Sequence, residues 1–296
     1  MWQQMKNDIS AGSINALARC ISLVENEVNG YEELLASLPT SVTPVIGITG
    51  PPGAGKSTLT DALIGSLVEQ NKKIAVLCVD PSSPFNLGAL LGDRIRMSQW
   101  YDNPNVFIRS LATRGSLGGL HPKIIEITDI LKFAGFDYII VETVGVGQSE
   151  IEIAGLADVT VVMMVPEGGD EIQTMKAGLM EIADIFVVNK ADRAGADTFV
   201  KNLRMMLAPA FTNHANEIPI LKTVASKKEG IRELSVAIDY VLALQQHNDK
   251  KEWLLTEKAW HLIQQKRMTD VSRDVLKEKI RKEGKEFNLY NFVRKY

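Results

Sequence analysis

The 296-residue chain is predicted to fold as an α/β domain, a doubly wound and mostly parallel sheet, with helical extensions at both ends. Two observations carry that prediction. From Thr43 onward, short β-rich runs that are apolar on both faces alternate with helical stretches, the pattern of a parallel sheet covered by helices. Within that alternation, Gly50-Pro51-Pro52-Gly53-Ala54-Gly55-Lys56-Ser57-Thr58 satisfies G-x-x-x-x-G-K-[ST]. It lies between the apolar run Val45-Ile46-Gly47-Ile48 and a helix-like stretch from Thr58 to Glu69, the context the motif needs as a phosphate-binding loop.

Taken in order, residues 8–38 place Ile14, Leu17, Ala18, Ile21, Val24 and Val28, then Leu34, Leu35 and Leu38, at helical spacing, with Asn29-Gly30 as a break between two helices. They form either a preface packed on the following domain or a helix of its own core. Pro39 to Pro44 reads as a linker. Strands are expected at 44–49, 73–79, 105–109, 137–142, 159–165, 184–189 and 218–223, and helices near 57–70, 119–134, 171–182, 196–207 and 230–246. A ligand of such a sheet lies at the carboxyl ends of its strands. After residue 246 the polar run Gln245-Gln246-His247-Asn248-Asp249-Lys250-Lys251 leads into a lysine-rich tail, with helices expected at 251–266 and 271–283. Trp253, Leu255, Trp260 and Ile263 could line one stripe, facing either their own protein or a partner or second copy. The expected domains are thus a helical extension (1–42), a nucleotide domain (43–246) and a C-terminal helical segment (247–296). No internal repeat or low-complexity segment interrupts them.

The composition is that of an ordinary globular protein: 45% hydrophobic residues supply a core, and a formal net charge of -3 gives no basic surplus for nucleic acid or anionic membrane. Neither is expected as a partner. Cys20 and Cys78 form no metal-spacing pair. With no signal peptide and no transmembrane run, the cytoplasm is expected, or a mitochondrial matrix after removal of a transit peptide.

The phosphate loop turns the backbone N–H groups of Gly53, Ala54 and Gly55 toward phosphate oxygens. Lys56 supplies charge, Ser57 can ligate magnesium, and the helix from Thr58 points its positive end at the anion. The plain alternative is a glycine turn between strand and helix. A second motif, Asn189-Lys190-Ala191-Asp192, ends the run Ile185-Phe186-Val187-Val188. An aspartate there can accept from both N–H groups on guanine's pairing edge, whereas adenine offers no such pair of donors. Asn189 would hold the base and the stem of Lys190 cover it; the alternative is a capped turn before the helix near Asp197. Between the motifs, Glu142 in Tyr138-Ile139-Ile140-Val141-Glu142-Thr143-Val144-Gly145 suits a magnesium-side carboxylate, where most GTPases carry aspartate. Asp80 and Asp93 are further carboxylates of this kind, or else turn and cap residues.

Together these residues resemble the MeaB/ArgK family of P-loop GTPases of SIMIBI type, chaperones of cobalamin-dependent acyl-CoA mutases such as methylmalonyl-CoA mutase. The resemblance runs from Thr43 to Leu234. It includes Val79-Asp80-Pro81-Ser82-Ser83, Leu91-Gly92-Asp93-Arg94, Thr113-Arg114-Gly115-Ser116-Leu117-Gly118-Gly119-Leu120 and Glu142-Thr143-Val144-Gly145-Val146-Gly147-Gln148-Ser149-Glu150, besides the two motifs above. It implies that Lys56, Ser57 and Thr58 bind phosphates, with magnesium held by Ser57 and approached by Asp80, Asp93 and Glu142. Gly168-Gly169-Asp170-Glu171-Ile172-Gln173 and Lys176 look like an additional switch toward the mutase, Asp170 also suiting a helix cap. The helices after the nucleotide domain would form a homodimer. Where the family has Ser-Ala before a Gly-rich stretch, this chain has Val224-Ala225-Ser226-Lys227-Lys228-Glu229-Gly230, and the N–H of Ala225 is expected to read guanine O6.

The implied activity is GTP hydrolysis to GDP and phosphate, slow alone and faster once the partner orders the switches, with Lys56 and Glu142 in the catalytic set. Gln148 is the candidate for orienting water, a solvent-facing loop glutamine being the alternative. Adenosylcobalamin would be carried by the partner mutase, since no Asp-x-His-x-x-Gly motif occurs in the chain. Three rivals share the phosphate loop. A metal-insertion GTPase of the hydrogenase or urease type calls for a Cys/His cluster that four scattered histidines and two cysteines do not supply. A small-molecule kinase needs no Asn189-to-Asp192 motif, and a transporter-linked ATPase finds no membrane segment here.

Overall fold

Seven short runs rich in Val, Ile and Met assemble into one parallel sheet: β1 (Val45–Thr49), β2 (Ile74–Asp80), β3 (Val106–Ala112), β4 (Tyr138–Glu142), β5 (Val159–Met164), β6 (Ile185–Val188) and β7 (Ile220–Lys222). Their spatial order is β3-β2-β4-β1-β5-β6-β7. The computed structural model describes residues 1–80, 97–112, 120–143, 149–166, 177–211, 218–244, 249–268, 271–284 and 287–294. It divides into two compact units, Met1–Lys251 and Glu252–Tyr296.

The helices of the first unit are α1 (Trp2–Ser10), α2 (Ile14–Glu25), α3 (Tyr31–Ala36), α4 (Lys56–Glu69), α5 (Ile124–Phe133), α6 (Ser149–Leu156), α7 (Ala177–Ile182), α8 (Ala196–Phe211) and α9 (Ile231–Leu244). Side chains alternate across the sheet with the period of two that a strand imposes. Ile46, Ile48, Val161 and Met163 face Leu59 and Leu63 of α4 and Leu234 and Ile238 of α9. Val162, Met164, Phe186 and Val188 face Phe199 and Leu203 of α8 and Ile182 of α7. Burial on both faces is why these strands read as continuous apolar runs.

The N-terminal helices belong to the same unit as the sheet, with α2 and α3 packed on α5. The expected break at Asn29-Gly30 is present, but the region holds three helices, because α1 precedes the expected start at residue 8. That helix buries only Met5 and Ile9, too few positions to reveal a period. Two further differences have local causes. The helix expected from 119 starts at Ile124, since Pro122 disfavours helical geometry at His121. And α6 is unanticipated: its Ile151-Glu152-Ile153 spacing is strand-like, while its seat is made by Gly47, where a Cβ would meet Ile153 Cγ1 at 2.7 Å.

In the tail, α10 (Asp249–Arg267) and α11 (Arg273–Glu283) match the expected helices, and α12 (Leu289–Val293) is additional. There Phe292 is buried, edge-on to Phe287 at 5.5 Å. Trp253, Leu255, Trp260 and Ile263 are all exposed.

The connection leaving β1 runs toward β2 on one side, whereas that leaving β4 crosses to β5 on the other. The neighbouring pair β1 and β4 therefore flanks a topological switch point, with the crevice at its carboxyl end.

Candidate functional site

The phosphate loop fills that crevice. It leaves β1 at Thr49 and enters α4 at Lys56, with Gly55 as the left-handed residue that precedes the helix, at φ +93°. Gly55 is needed twice over. A side chain there would be strained, and its Cβ would lie 2.6 Å from Asn189 Nδ2. Lys56 is buried and its Nζ donates to Gly50 O at 2.9 Å and Pro51 O at 3.0 Å, which draws the loop around the ammonium. Thr58 is exposed on the first turn of α4, and Ala54, within the loop, is buried.

Glu142 ends β4 beside the loop, level with Ile48 of β1 and Cys78 of β2. Its buried carboxylate accepts from Ser57 Oγ at 2.6 Å and from Thr60 Oγ1 at 2.7 Å. Thr143, the next residue, donates through Oγ1 to Thr49 Oγ1 at 2.9 Å and through its N–H to Ile48 O, fixing the strand end against β1. Asp80 closes β2 two residues beyond the level of Glu142, at the same edge of the sheet. Asp93 and Gln148 lie outside the described residues, as do the segments around Arg114 and Asp170.

The base-side loops are tied to the phosphate loop by one buried amide. Asn189 Nδ2 donates to Ala54 O at 2.8 Å, and its Oδ1 accepts from Thr223 Oγ1 and the Ala225 N–H, both at 3.1 Å. Lys190 follows in the left-handed region, at φ +56°, and its Nζ donates to Gly53 O at 2.9 Å. A non-glycine residue there is uncommon and persists only where its surroundings hold it, as this contact does. The Ala225 N–H is thus directed at Asn189, and reading guanine O6 through it would require that bond to be shared or exchanged.

Asp192 is about half exposed and accepts from Lys227 Nζ at 3.0 Å. That hydrogen bond, with the lysine's charge, holds the Asp192 carboxyl below the usual carboxylate range and raises Lys227. At neutral pH Asp192 is therefore an ionised acceptor, the form that two adjacent N–H donors need. Asp197, in the first turn of α8, pairs with Lys222 at 2.8 Å.

Thr60, Thr223 and Lys227 are contacts that motif reading missed. Thr60 had a signal, since it sits three residues after Ser57 on one helix face. Thr223 and Lys227 had only their nearness to Ala225. As metal donors, Ser57 and Glu142 are hard oxygen ligands, the type magnesium takes beside phosphate. Among the described residues no cluster of three or more His, Cys, Asp or Glu forms a metal cage, and no helix is long and apolar enough to cross a membrane.

A GTPase named ArgK, of Escherichia coli, is 41% identical over 187 residues, covering 61% of this chain and 56% of its own. A protein of Pyrococcus abyssi provisionally described as a GTPase is 47% identical over 239 residues, 79% of this chain and 74% of that one. A fused isobutyryl-CoA mutase of Geobacillus kaustophilus is 36% identical over 247 residues, 78% of this chain but 23% of the mutase. The crystal structure of an LAO/AO transport system kinase superposes with a TM-score of 0.67 at 25% identity, covering 99% of this chain and 95% of that one. Residues 17–281 match the family described as Methylmalonyl Co-A mutase-associated GTPase MeaB, and the chain belongs to that family.

Proposed function

We propose that the protein is a magnesium-dependent GTPase chaperone that gates delivery of adenosylcobalamin to a cobalamin-dependent acyl-CoA mutase and protects the loaded enzyme. The observation that carries the nucleotide part is Asn189. One side chain bonds the phosphate loop at Ala54 and the base-side loop at Thr223 and Ala225, so the groups that hold phosphates and base are built as one unit. Gly53, Ala54, Gly55, Lys56, Ser57 and Thr58 would bind the phosphates, and Asn189, Lys190, Asp192 and Ala225 the guanine. Asp192 would exchange its bond with Lys227 for the guanine N–H groups, or share it with them.

Ser57 and Glu142, approached by Asp80 and Asp93, would hold magnesium, which supplies positive charge to the outer phosphates. Lys56 adds a second cation at the same place, and Gln148 would orient the attacking water. Hydrolysis then depends on positioning and electrostatics, so turnover is slow for the protein alone and rises when the partner is bound. The mutase as partner is supported by family membership and by the relative in which a similar chain is fused to an isobutyryl-CoA mutase. The exposed Trp253 and Trp260 suit a homodimer contact.

The direct test is a pull-down of acyl-CoA mutase, or of its cobalamin domain, by this protein loaded with a non-hydrolysable GTP analogue and then with GDP. Retention that depends on the nucleotide supports the reading. Equal retention or none in both states contradicts it. GTP turnover that is maximal without mutase would contradict the gating alone.

A further inference from the structure

A glutamate at the end of a strand carries three rotatable side-chain bonds, and each setting presents its carboxylate differently to the neighbouring loop. Glu142 is held at both oxygens: Oε1 accepts from Ser57 Oγ at 2.6 Å, and Oε2 from Thr60 Oγ1 at 2.7 Å. Ser57 and Thr60 are three residues apart on α4, so their hydroxyls share one face and meet one carboxylate. Thr60 is fully buried, and its Oγ1 also lies 3.0 Å from Lys56 O. A hydroxyl has one proton, and of these two acceptors the charged carboxylate forms the shorter and stronger bond. The Lys56 carbonyl is in any case placed to accept an N–H one turn along the helix.

We infer that Thr60 is the positioning residue for the magnesium-side carboxylate. Its hydroxyl pins Oε2 of Glu142, so that Oε1 stays with Ser57, the hydroxyl assigned to the cation. A serine can give its proton to Glu142 while its oxygen lone pairs face a metal, so the arrangement suits a loaded site without rearrangement. The competing account makes Thr60 an ordinary back-bonding threonine whose hydroxyl serves only the Lys56 carbonyl. The inference rests on the nucleotide reading above, and its test separates the two.

The experiment uses the full chain with T60V, which removes the hydroxyl at nearly constant shape, and T60S, which keeps it; T60A replaces T60V if that variant does not fold. Dissociation of a fluorescent GDP is timed in excess magnesium and in EDTA. T60V is expected to lose at least about fivefold of the magnesium-dependent slowing while its EDTA rate stays within about twofold of wild type. T60S should recover the slowing, and kcat for GTP should fall in T60V with KM unchanged. Unaltered magnesium dependence in T60V overturns the inference, as does a T60S variant as impaired as T60V. A second measurement needs no nucleotide: T60V should lower Tm by less than half as much in an E142A background as in wild type, and additive effects overturn the contact. Were wild type to bind no guanine nucleotide, the proposed function would fail, and this cycle would still decide whether Thr60 holds Glu142.

Discussion

Replacing Asn189 with alanine is the most revealing perturbation of the site, because one buried amide serves two loops. The change removes the donor to Ala54 O and the acceptor for Thr223 Oγ1 and the Ala225 N–H. Each partner left unsatisfied in a buried setting costs about 1–3 kcal/mol, and water admitted to the small gap returns part of that. A total near 3 kcal/mol follows if each loss falls at the lower end of that range. Because the same loops must be assembled before a nucleotide can bind, the affinity for GDP should fall about 100-fold, the equivalent of about 2.7 kcal/mol. The assay is titration of a fluorescent GDP into N189A beside a urea unfolding curve of the nucleotide-free protein. The urea midpoint should drop as well, since the bonds exist without ligand. An N189A variant that binds GDP within about threefold of wild type, with an unmoved urea midpoint, would refute the idea that this amide joins the two halves of the site.

Other outcomes follow from single contacts. Gly55→Ala places a Cβ 2.6 Å from Asn189 Nδ2 at φ +93°, so nucleotide affinity measured by calorimetry should fall at least about tenfold, left-handed strain alone being worth about 1–2 kcal/mol. Lys227→Ala removes the partner of an exposed carboxylate, so its effect on GDP affinity should stay within about threefold and shrink further at high salt. Burial pushes the Cys20 thiol up to about 11, so the folded protein should react slowly with a thiol reagent at pH 8 and quickly once urea unfolds it. The same shift has a defined sign in stability. The thiol's contribution is complete below its ordinary value of 9.0 and is lost as pH rises through about 11, because only the unfolded chain ionises it readily. Unfolding free energy measured between pH 8 and 11 should therefore fall, and less steeply in a Cys20→Ala variant.

Much of the sheet was legible in the chain because its strands are buried on both sides. Val159 to Met164 is apolar but for the buried Thr160, Ile185 to Val188 is apolar throughout, and each is a strand within a residue or two of its expected limits. Helix α6 was illegible for the opposite reason, since Ile151 and Ile153 alternate like a strand and the glycine that admits the helix, Gly47, is about a hundred residues away. The same divide runs through the site. Lys56, Ser57, Asn189 and Asp192 fall in local motifs with fixed spacing; the first two open α4 and the other two lie on the loop after β6. Thr60 meeting Glu142 across 82 residues, or Lys227 meeting Asp192 across 35, belongs to tertiary pairing and leaves no periodic trace. The bond from the Ala225 N–H to Asn189 Oδ1, at the start of the short 3-10 turn Ala225–Lys227, is another such pairing.

The central claim is that Asp192 selects guanine through two N–H donors, and Asp192→Asn tests it directly. Guanine presents two donors at that edge, whereas xanthine presents one donor and one carbonyl, so an amide at 192 complements xanthine. The measurement is displacement of a fluorescent GDP or XDP by unlabelled GDP, XDP and ADP from wild type and D192N. Wild type should prefer GDP over both rivals by at least about tenfold, and D192N should reverse the order of GDP and XDP, each mismatched pair costing about 1–3 kcal/mol. A wild-type protein that binds ADP as well as GDP, or a D192N variant with unchanged preference, would contradict the account.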